Sequence, residues 1–482
     1  MSPILLTTVK KKAGEIAEKV LSAEEVQIIS HIDADGITSA SIAYRALERA
    51  GEAVEVEFIK QLDEAKIEEI RDGDHGLLWF TDLGSGQINS LKGLDCVITD
   101  HHEPVNREEK LGIKERENIL NYSTSEILKL NPHHHGINGA KELSGSGTTY
   151  LVAKQMDRKN KDLSKLAVLG AVGDLQASEG GRLIGKNREI LQDGVEEGVV
   201  EKRTDASLYG IESRPIPKVL EYASDPILPG LSGQESACVN FLVENDIQLK
   251  ENGRWNRWYL LSKEEKRKIL SGLAKRMLNQ GFPVRNVKRL IGEIYEFPEE
   301  ERGTMLHQAK EFSTLLNSCG RYGEGKIGLK VCLGDRDEYL KKAKDLLEGH
   351  QKILVDCLDY VESIGVEERD HFQFFHGQDR IPDTVVGTVA GMVLSSGDVD
   401  KKLPIVAFAR SDERDGIKVS SRGTKQLVDK GLDLSVIMDE CSKEVGGEGG
   451  GHDVAAGAFI PHGKEEEFLE EVGDMIDSQL DW

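Results

Sequence analysis

Short apolar runs alternate with amphipathic stretches along the first part of this chain of 482 residues. Strands are predicted at residues 26–31, 54–59, 77–80, 95–99 and 127–130, and helices at 10–25, 37–50, 63–71, 86–93, 146–157 and 162–173. Strands that alternate with helices in this way form a parallel sheet covered by helices. The predicted fold class is therefore α/β, with an N-terminal parallel-sheet domain over residues 1–198.

The hydrophobic pattern changes after residue 198. Residues 199–230 contain four prolines and little periodicity, and residues 234–319 have a helical pattern, so 199–319 is interpreted as a linker and helical insert. Residues 320–334 predict a pair of strands, and a long helix is predicted after them. Short strands and helices then alternate to the end of the chain. Residues 320–482 are therefore predicted to form a second, mixed α/β domain.

Composition limits the classes of protein to which the chain can belong. Hydrophobic residues make up 38% and charged residues 30% of the chain, and no apolar run approaches the roughly 20 residues that span a bilayer. No signal-peptide core is present near Met1, so a cytoplasmic location and no membrane partner are expected. Six cysteines without a CxxC pair disfavour a disulfide framework or a structural zinc site. A net charge of −23 disfavours a protein that simply coats nucleic acid, although it does not exclude a nuclease.

The first candidate site follows the apolar residues of the first predicted strand. His31, Asp33 and Asp35 stand there, followed by Gly36, at the sheet edge where open α/β folds bind ligands. Alternation along an extended chain would turn the first three side chains to one side. Two carboxylates and an imidazole held so close repel one another unless a cation lies between them. An Asx turn that caps the next helix explains the same residues, and this stretch alone does not decide between the two interpretations.

Three later segments also end in acidic residues or histidines. These residues are Asp82 after the strand at 77–80, Asp100, His101 and His102 after the strand at 95–99, and Asp174 after the helix at 162–173. Taken alone, Asp82 is typical of a helix cap and Asp174 of a helix terminus, whereas Asp-His-His is uncommon at the end of a strand. Together with the first site, they supply enough oxygen and nitrogen donors for two metal ions.

These segments resemble the ordered motifs of the DHH phosphoesterases. The motifs are His31-Ile-Asp-Ala-Asp-Gly, Thr81-Asp-Leu-Gly-Ser, Asp100-His-His and Gly170-Ala-Val-Gly-Asp174, and the segment from Gly446 to Gly457 resembles the glycine-rich signature of the DHHA1 domain. Asn131-Pro-His133, Ser144-Gly-Ser-Gly147, Asn317-Ser-Cys-Gly-Arg321 and Lys418-Val-Ser-Ser-Arg422 further resemble the archaeal RecJ-like branch, which includes the GINS-associated nucleases. The resemblance covers nearly the whole chain, but the middle helical region matches only loosely. It implies an N-terminal DHH domain, a C-terminal DHHA1 domain and an active-site cleft between them.

The resemblance also implies a set of metal ligands and catalytic residues. One ion would be held by His31, Asp33 and Asp82, and a second by Asp35, Asp82, His101 and Asp174, so that Asp82 bridges the two. Asp100 would support the site from outside the ligand set, and His102 would face the scissile phosphate. The implied ions are two Mn²⁺, with Mg²⁺ or Co²⁺ as alternatives. Such a pair would polarise phosphoryl oxygens and lower the pKa of a bound water.

The implied substrate contacts are His102 together with residues near the end of the chain. The latter are Arg422, Gly450, Gly451 and His452, where exposed N–H groups of a loop and a bidentate guanidinium would hold a phosphate. A flexible turn explains the same glycine run. Whether Arg321 binds substrate or forms an ion pair between domains stays open. Of His133, His134 and His135, only the first falls in a motif, and the other two are interpreted as loop residues.

The function implied by the resemblance is that of a metal-dependent exonuclease. It would degrade single-stranded DNA from the 5′ end, or RNA, during DNA replication or repair. An oligoribonuclease or a phosphatase acting on 3′-phosphoadenosine 5′-phosphate is an alternative within the same family. A replisome scaffold that binds GINS and the replicative helicase is an alternative from a different class. Because every motif ligand is present, an inactive scaffold is disfavoured.

Overall fold

The computed structural model describes residues 3–104, 127–177, 179–223, 225–396, 399–411 and 415–480. The chain forms two compact units, Met1–Leu347 and Glu348–Trp482. The strands and helices of the first unit are α1 Pro3–Leu21, β1 Val26–His31, α2 Ala34–Ala50, β2 Val54–Ile59, α3 Glu64–Asp72, β3 Leu77–Thr81, β4 Cys96–Thr99, β5 Leu128–Leu130, α4 Gly145–Met156, α5 Ser164–Gly173, α6 Gly185–Glu196, β6 Glu201–Ala206, α7 Ile216–Glu221, α8 Glu235–Glu244, β7 Lys250–Glu251, β8 Arg254–Trp255, α9 Lys263–Asn279, α10 Val284–Lys288, β9 Ile291–Glu296, α11 Ala309–Arg321 and α12 Gly325–Cys332. A long helix, α13 Glu338–Ile364, continues from this unit into the second.

Five parallel strands form the sheet of the first unit, in the order β2-β1-β3-β4-β5. Apolar side chains alternate between its two faces, as the pleat requires. Ile28 and Trp79 belong to the core on one face, and Ile29 and Phe80 to the core on the other. The predicted α/β fold with a parallel sheet is confirmed, and the carboxyl ends of β1, β3 and β4 come to one edge of it.

The middle of the chain has a hydrophobic core of its own. Trp258 and Leu273 are buried in it together with apolar residues of α7 and α8. Antiparallel strands β6 and β9 pair across this region, at its two ends in sequence. Its mainly helical character agrees with the sequence pattern, whereas the predicted boundaries at residues 198 and 319 stay predictions.

The second unit contains a mixed sheet with helices on both faces. Its remaining elements are β10 Glu367–Glu368, β11 Gln373–His376, α14 Val386–Ser396, β12 Ile405–Arg410, β13 Ile417–Arg422, α15 Lys425–Val428, α16 Leu434–Glu444, β14 Glu448–His452, β15 Ala455–Ile460 and α17 Glu465–Gln479. The strand order is β10-β11-β12-β13-β15-β14. Only the pairing of β11 with β12 is parallel among the described strands of this sheet. The predicted mixed α/β domain is confirmed.

Two predicted elements are wrong. Residues 320–334 form the end of α11 and then α12, not a strand pair. The β-branched residues Ile327 and Val331 favoured strands, but Gly325, Gly328 and Leu329 have the spacing of one helix face and are buried. The helix expected at 86–93 is a single 3₁₀ turn, Ser85–Gln87, followed by turns.

The structure also describes the state of the cysteines and the apolarity of the helices. All six cysteines are free, so the chain has no disulfide framework. No helix among the described residues is both long and apolar enough to cross a bilayer.

Candidate metal centre

The turn from β1 into α2 positions the first three predicted ligands. His31 is the last residue of β1, Asp33 is the N-cap of α2, and Asp35 lies in the first turn of that helix. The Asp33 Oδ1 atom accepts a hydrogen bond of 2.9 Å from the Gly36 N–H. The helix-cap interpretation is therefore correct for Asp33, whose other oxygen lies 3.1 Å from Nδ1 of His31. His31, Asp33 and Asp35 were expected to lie together because side chains alternate along a strand, and this reason is wrong. Asp35 lies in the first turn of α2, and the helix brings it to the cluster.

Asp35 is held in place by the start of α4. The Gly145 N–H donates to Asp35 Oδ2 over 2.6 Å, and the Ser146 N–H donates to Oδ1 over 3.0 Å. The first N–H groups of a helix lack partners within the helix and favour a negative charge. The Ser144-Gly-Ser-Gly147 motif therefore supplies a cradle for the buried Asp35 carboxylate, a role that its sequence did not reveal.

Asp82 lies in the middle of the cluster. It follows β3 directly, has a φ of 60°, and is 1% exposed. Its Oδ2 atom lies 3.8 Å from Nδ1 of His31, and its Oδ1 atom lies 3.3 Å from Nε2 of His101. Neither oxygen has a hydrogen-bond partner among the described residues. A buried carboxylate without hydrogen bonds is costly, and a bound cation would remove that cost.

Asp100 orders the two histidines that follow β4. Its Oδ1 atom accepts hydrogen bonds from the backbone N–H groups of His101 and His102 and lies 2.8 Å from Nδ1 of His102. Its Oδ2 atom accepts from the Ser85 N–H over 2.8 Å. With its acceptors engaged in this way, Asp100 supports the site instead of completing its ligand set.

The tautomer of His101 follows from its other neighbour. Nδ1 of His101 lies 2.8 Å from the carbonyl oxygen of Gly139. Because a carbonyl can only accept, Nδ1 carries the proton, and Nε2 presents its lone pair toward Asp82. A metal-ligating histidine is commonly oriented in this way by a backbone carbonyl.

Gln176 supports the fourth predicted segment and was missed by sequence reasoning. Asp174 caps the end of α5, and the Gln176 side-chain amide donates to Asp174 Oδ2 over 2.8 Å and to the Gly139 carbonyl over 2.7 Å. The Gln176 side-chain oxygen in turn accepts a hydrogen bond of 2.5 Å from Asn187. Glutamine two residues after Asp174 matched none of the motifs, so no sequence signal identified it.

The structure brings every predicted metal ligand into one cluster. Within this cluster, side-chain donor atoms that lie within 4.8 Å of one another form three groups, which are His31 with Asp33 and Asp82, Asp35 with His101 and Asp174, and Asp82 with His101 and His102. The first two groups follow the predicted division of ligands. Carboxylate oxygens and imidazole nitrogens suit Mn²⁺ among other divalent ions, and the unpartnered Asp82 oxygens give such an ion a reason to bind.

The pKa values show how much negative charge the cluster holds. Burial raises the pKa of Asp82 well above its usual range, and the charge of Asp35 adds to the effect. Burial and the same charge raise the pKa of Asp174 to about 6. Burial alone would lower the pKa of His101, but the nearby negative charges of Asp82, Asp35 and Asp174 outweigh it, so this pKa is raised. The cluster therefore attracts positive charge, whether from protons or from a metal ion.

The predicted substrate residues of the second unit lie on its sheet. Arg422 ends β13, and Gly450, Gly451 and His452 belong to β14, an edge strand. The expected loop at the glycine run is therefore wrong. A Cβ at Gly449 would lie 2.1 Å from the Met438 carbonyl oxygen, so the glycines let β14 pack closely against α16.

The Arg422 guanidinium packs against α14. A Cβ at Gly387 would lie 2.4 Å from one of its nitrogens, so a larger residue there would displace the end of the Arg422 side chain. Burial lowers the pKa of Arg422, and no carboxylate pairs with it among the described residues. A half-buried cation of this kind is suited to an anionic ligand.

The remaining motif residues are distributed around the cluster. Asn317 Oδ1 accepts a hydrogen bond of 2.8 Å from the Ala34 N–H, which fixes the β1–α2 turn. Asn131 donates to the His102 carbonyl oxygen over 2.9 Å. His133, His134 and His135 form a 3₁₀ turn and belong to none of the donor groups found among the described residues.

Comparison with known sequences covers most of the chain. Residues 25–173 match the N-terminal domain of the DHH family, 208–291 the DHH-CID domain, and 371–478 the DHHA1 domain. An uncharacterized protein of Methanocaldococcus jannaschii is 30% identical over 481 residues, which cover 98% of this chain and 99% of that protein. The single-stranded-DNA-specific exonuclease RecJ of Bacillus subtilis is 27% identical over 113 residues, covering 21% of this chain and 14% of RecJ.

Comparison with solved structures shows a shared fold. RecJ from Thermus thermophilus in complex with Mn²⁺ is similar with a TM-score of 0.56 and 15% identity, over 98% of this chain and 55% of the RecJ chain. CDC45 from Entamoeba histolytica is similar with a TM-score of 0.63 and 12% identity, over 98% of both chains. At these identities the likeness concerns the fold alone, and this chain spans about half the length of that RecJ.

Proposed function

Because this chain belongs to the DHH family, we propose that it is a metal-dependent phosphodiesterase that degrades single-stranded nucleic acid from one end. The observation that carries the proposal is the Asp82 carboxylate, buried without hydrogen bonds between two groups of oxygen and nitrogen donors. None of the residues that the structure describes donates a hydrogen bond to these oxygens, whereas two divalent ions would satisfy them. RecJ-like activity on DNA, in the 5′ to 3′ direction, is the specific form that we propose.

We propose that His31, Asp33 and Asp82 hold one ion, and Asp35, Asp82, His101 and Asp174 the other. When bound, such ions polarise the phosphoryl oxygens and lower the pKa of a bound water. Mn²⁺ is the ion that we propose, and Mg²⁺ and Co²⁺ fit the same donors. Asp35 is held in position by hydrogen bonds from the N–H groups of Gly145 and Ser146, and His101 is kept in the correct tautomer by Gly139.

His102 is the proposed partner of the scissile phosphate. Its side chain is about half exposed beside the cluster, and Asp100 fixes its Nδ1 atom. The hydrogen bond from His102 to Asp100 outweighs burial and raises the pKa of His102, which favours the protonated imidazolium. Nε2 is then a donor directed away from Asp100, so it can stabilise negative charge on the phosphate or protonate the leaving oxygen.

We also propose that Arg422, Gly450, Gly451 and His452 contribute to substrate binding. The exposed edge of β14 has glycine N–H groups, and the Arg422 guanidinium has no carboxylate partner in the part of the chain that the structure describes. Both groups recognise phosphate oxygens. Arg422→Lys keeps the charge but loses the bidentate geometry, so it should weaken substrate binding with little effect on the metals.

End-labelled strands test the nuclease assignment. Single-stranded DNA and RNA, labelled at either end, are incubated with the protein and Mn²⁺, and the products are separated by size. Release of mononucleotides from the 5′ end of DNA is expected. Release from the 3′ end would correct the polarity, preference for short RNA would favour an oligoribonuclease, and no release from any strand would refute the assignment.

A structural role in a replisome is the second candidate function. The likeness of the fold to CDC45 extends over 98% of both chains, and the sequence motifs resemble the GINS-associated branch. The two functions are compatible, because the ligand cluster is complete. Co-purification with GINS and the replicative helicase, using wild-type protein and a cluster variant, tests this role separately from hydrolysis.

A further inference from the structure

A cavity of about 390 Å³ lies in the first unit, between the segment that follows α5 and the region of α10 and β9. Its cationic side chains are Arg285, Lys288, Arg289 and Lys310, and its apolar side chains include Leu175 and Ile291. Arg285 lies near the C-terminal end of the DHH-CID match, and Lys310 lies in the segment that follows it. Neither the metal cluster nor the proposed hydrolysis accounts for this cavity.

The charge of the cavity is opposite to that of the whole protein. Four cations line it, against the two carboxylates Asp225 and Glu293, in a chain with a net charge of −23. Asp225 is paired with Arg289 over 2.5 Å, and Glu293 is paired with Arg188. Lys288 has no ion-pair partner among the described residues. A local positive field on an acidic protein favours an anionic ligand at this place.

One face of α11 leads from this cavity to the metal cluster. Lys310 of α11 lines the cavity. Ser313 packs against α5, because a Cβ at Gly173 would lie 3.2 Å from the Ser313 Cβ. Asn317 accepts the hydrogen bond from the Ala34 N–H. These three residues are spaced as neighbours along one helix face. Seven residues of helix span about 10 Å, so Lys310 at the cavity and Asn317 at the β1–α2 turn are about 10 Å apart along α11.

The apolar wall of the cavity is equally close to a predicted ligand. Leu175 follows Asp174 directly, has a φ of 57°, and is 70% exposed. This left-handed conformation is unfavourable in a residue other than glycine. It lets Gln176 turn inward to Asp174 while Leu175 turns out to the cavity. An exposed leucine beside cations offers a base or a sugar an apolar surface while the cations hold the phosphate.

From this arrangement we propose that the cavity binds a nucleotide unit of the single strand whose end lies at the metal cluster. Arg285, Lys288 and Lys310 contact its phosphates, and Leu175 and Ile291 contact its base or sugar. The proposal deepens the proposed function and rests on it for the identity of the strand. It explains how an acidic protein holds a polyanion, because the contacts are local.

Binding of a strand without cleavage tests the proposal. A fluorescein-labelled, ten-nucleotide oligothymidylate is titrated with the full chain in a chelator, and the anisotropy is followed at several salt concentrations. The double variant Arg285→Ala/Lys288→Ala is compared with Lys263→Ala/Arg267→Ala, which removes two exposed cations of α9 outside the cavity. Because all four side chains are at the surface, both variants should fold.

The cavity variant should bind the strand about 10-fold more weakly than wild type. Its slope of log affinity against log salt should be shallower by about 1.4, since each phosphate contact on a single strand contributes roughly 0.7. The α9 variant should keep the affinity and slope of wild type. Equal effects of the two variants, an unchanged cavity variant, or no binding by wild type would each overturn the proposal.

The same assay separates this proposal from the proposed function. Binding is read in a chelator, so it does not depend on hydrolysis. If the cavity variant loses affinity but wild type cleaves no strand with Mn²⁺, the cavity proposal stands and the nuclease assignment fails. If wild type cleaves strands and the cavity variant binds normally, the nuclease assignment stands and the cavity proposal fails.

Discussion

The Asp82 Oδ1 atom lies 3.3 Å from Nε2 of His101, and the Asp82 carboxylate is buried without a hydrogen-bond partner among the described residues. In the metal-free protein, burial of the charged Asp82 carboxylate is therefore unfavourable for stability. Asp82→Asn removes the buried charge, so in a chelator the variant should be at least as stable as wild type, with a gain of up to roughly 1–3 kcal/mol. Mn²⁺ should raise the melting temperature of wild type and leave that of the variant unchanged.

Asp74→Asn is the matched control for this prediction, because Asp74 is exposed and away from the cluster. It should change neither the stability in a chelator nor the response to Mn²⁺. Thermal unfolding monitored by circular dichroism, with and without the ion, gives both quantities. A variant at Asp82 that is clearly less stable than wild type in a chelator would show that the carboxylate has a structural role instead.

The pH dependence of the metal-free protein follows from the raised pKa values. Burial raises the pKa of Asp174 to about 6 and that of Asp82 well above its usual range, so the folded state binds protons more tightly than the unfolded state. His101, with a raised pKa, acts in the same direction. Between about pH 5 and pH 8, metal-free stability should therefore fall as pH rises, because these protons are lost from the folded state.

Metal binding should show the opposite dependence on pH. The ion replaces protons on Asp82, Asp174 and His101, so the affinity for Mn²⁺ should increase with pH through about 6, and binding should release protons. Titration calorimetry in two buffers with different ionisation enthalpies measures that release. If the heat of Mn²⁺ binding at pH 6 is the same in both buffers, binding releases no protons from the ligands, and this prediction is refuted.

The sequence predicted which residues lie together better than it predicted how the backbone brings them together. Asp82 and Asp174 each follow an apolar element, and the parallel sheet brings such positions to one edge. Asp35, by contrast, reaches the cluster from a helix, and Asp33 is both a helix cap and a candidate ligand. Local patterns identify where an element ends, but they do not specify which backbone conformation follows.

Long-range hydrogen bonds explain what the sequence did not predict. Asn187 donates a hydrogen bond to the side chain of Gln176, eleven residues earlier in the chain. The Gly145 N–H donates to the carboxylate of Asp35, 110 residues earlier. The segment of α12 was predicted as part of a strand pair, which its β-branched residues Ile327 and Val331 favour, whereas packing of Gly328 against Ile37 favours the helix. Such contacts depend on the tertiary fold, which propensity and periodicity do not contain.

Asp100→Asn should separate support of the site from metal binding. Asparagine has the size of Asp100, but its N–H₂ group replaces an oxygen that accepts hydrogen bonds from Ser85 or His102. Two donors would then face each other, and leaving a buried donor without an acceptor costs roughly 1–3 kcal/mol. His102 also loses the hydrogen bond that raises its pKa. We expect kcat to fall by at least 10-fold while Mn²⁺ affinity changes little.

The pH profile of the Asp100→Asn variant distinguishes this role from loss of fold. If protonated His102 takes part in the reaction, the alkaline limb of kcat should shift to lower pH, toward the usual pKa of histidine. A variant with reduced activity at every pH and an unshifted limb would contradict this role of the pair.

Gln176→Leu should weaken metal binding without touching a ligand directly. Leucine has a similar size, but it cannot donate to Asp174 and the Gly139 carbonyl, so both Asp174 and the ring of His101 lose support. Loss of such supporting bonds typically lowers metal affinity by 10–100-fold. Gln192→Leu is the control, because Gln192 is exposed and bonds only Glu196 among the described residues. Equal Mn²⁺ affinities in the two variants would refute the supporting role.

Gly145→Ala tests the geometry of the cluster with a single added carbon. A Cβ at this position would lie 2.2 Å from Asp82 Oδ1, and it would also lie within 3 Å of the Cγ and Cβ atoms of Asp82. Because Gly145 also donates to Asp35, any shift of α4 that relieves the clash disturbs both carboxylates. We expect loss of Mn²⁺-dependent stabilisation and of activity, although alanine favours a helix more than glycine does.

Gly14→Ala in α1 is the control for that substitution, since nothing lies within 4 Å of the position of its Cβ. It should stabilise the protein by up to about 1 kcal/mol through helix propensity and leave Mn²⁺ binding unchanged. Isothermal titration with Mn²⁺ and thermal unfolding of both variants make the comparison. If Gly145→Ala binds Mn²⁺ as tightly as Gly14→Ala does, the ion is not held by Asp82 as placed by β3, and the assignment of that carboxylate as the bridging ligand fails.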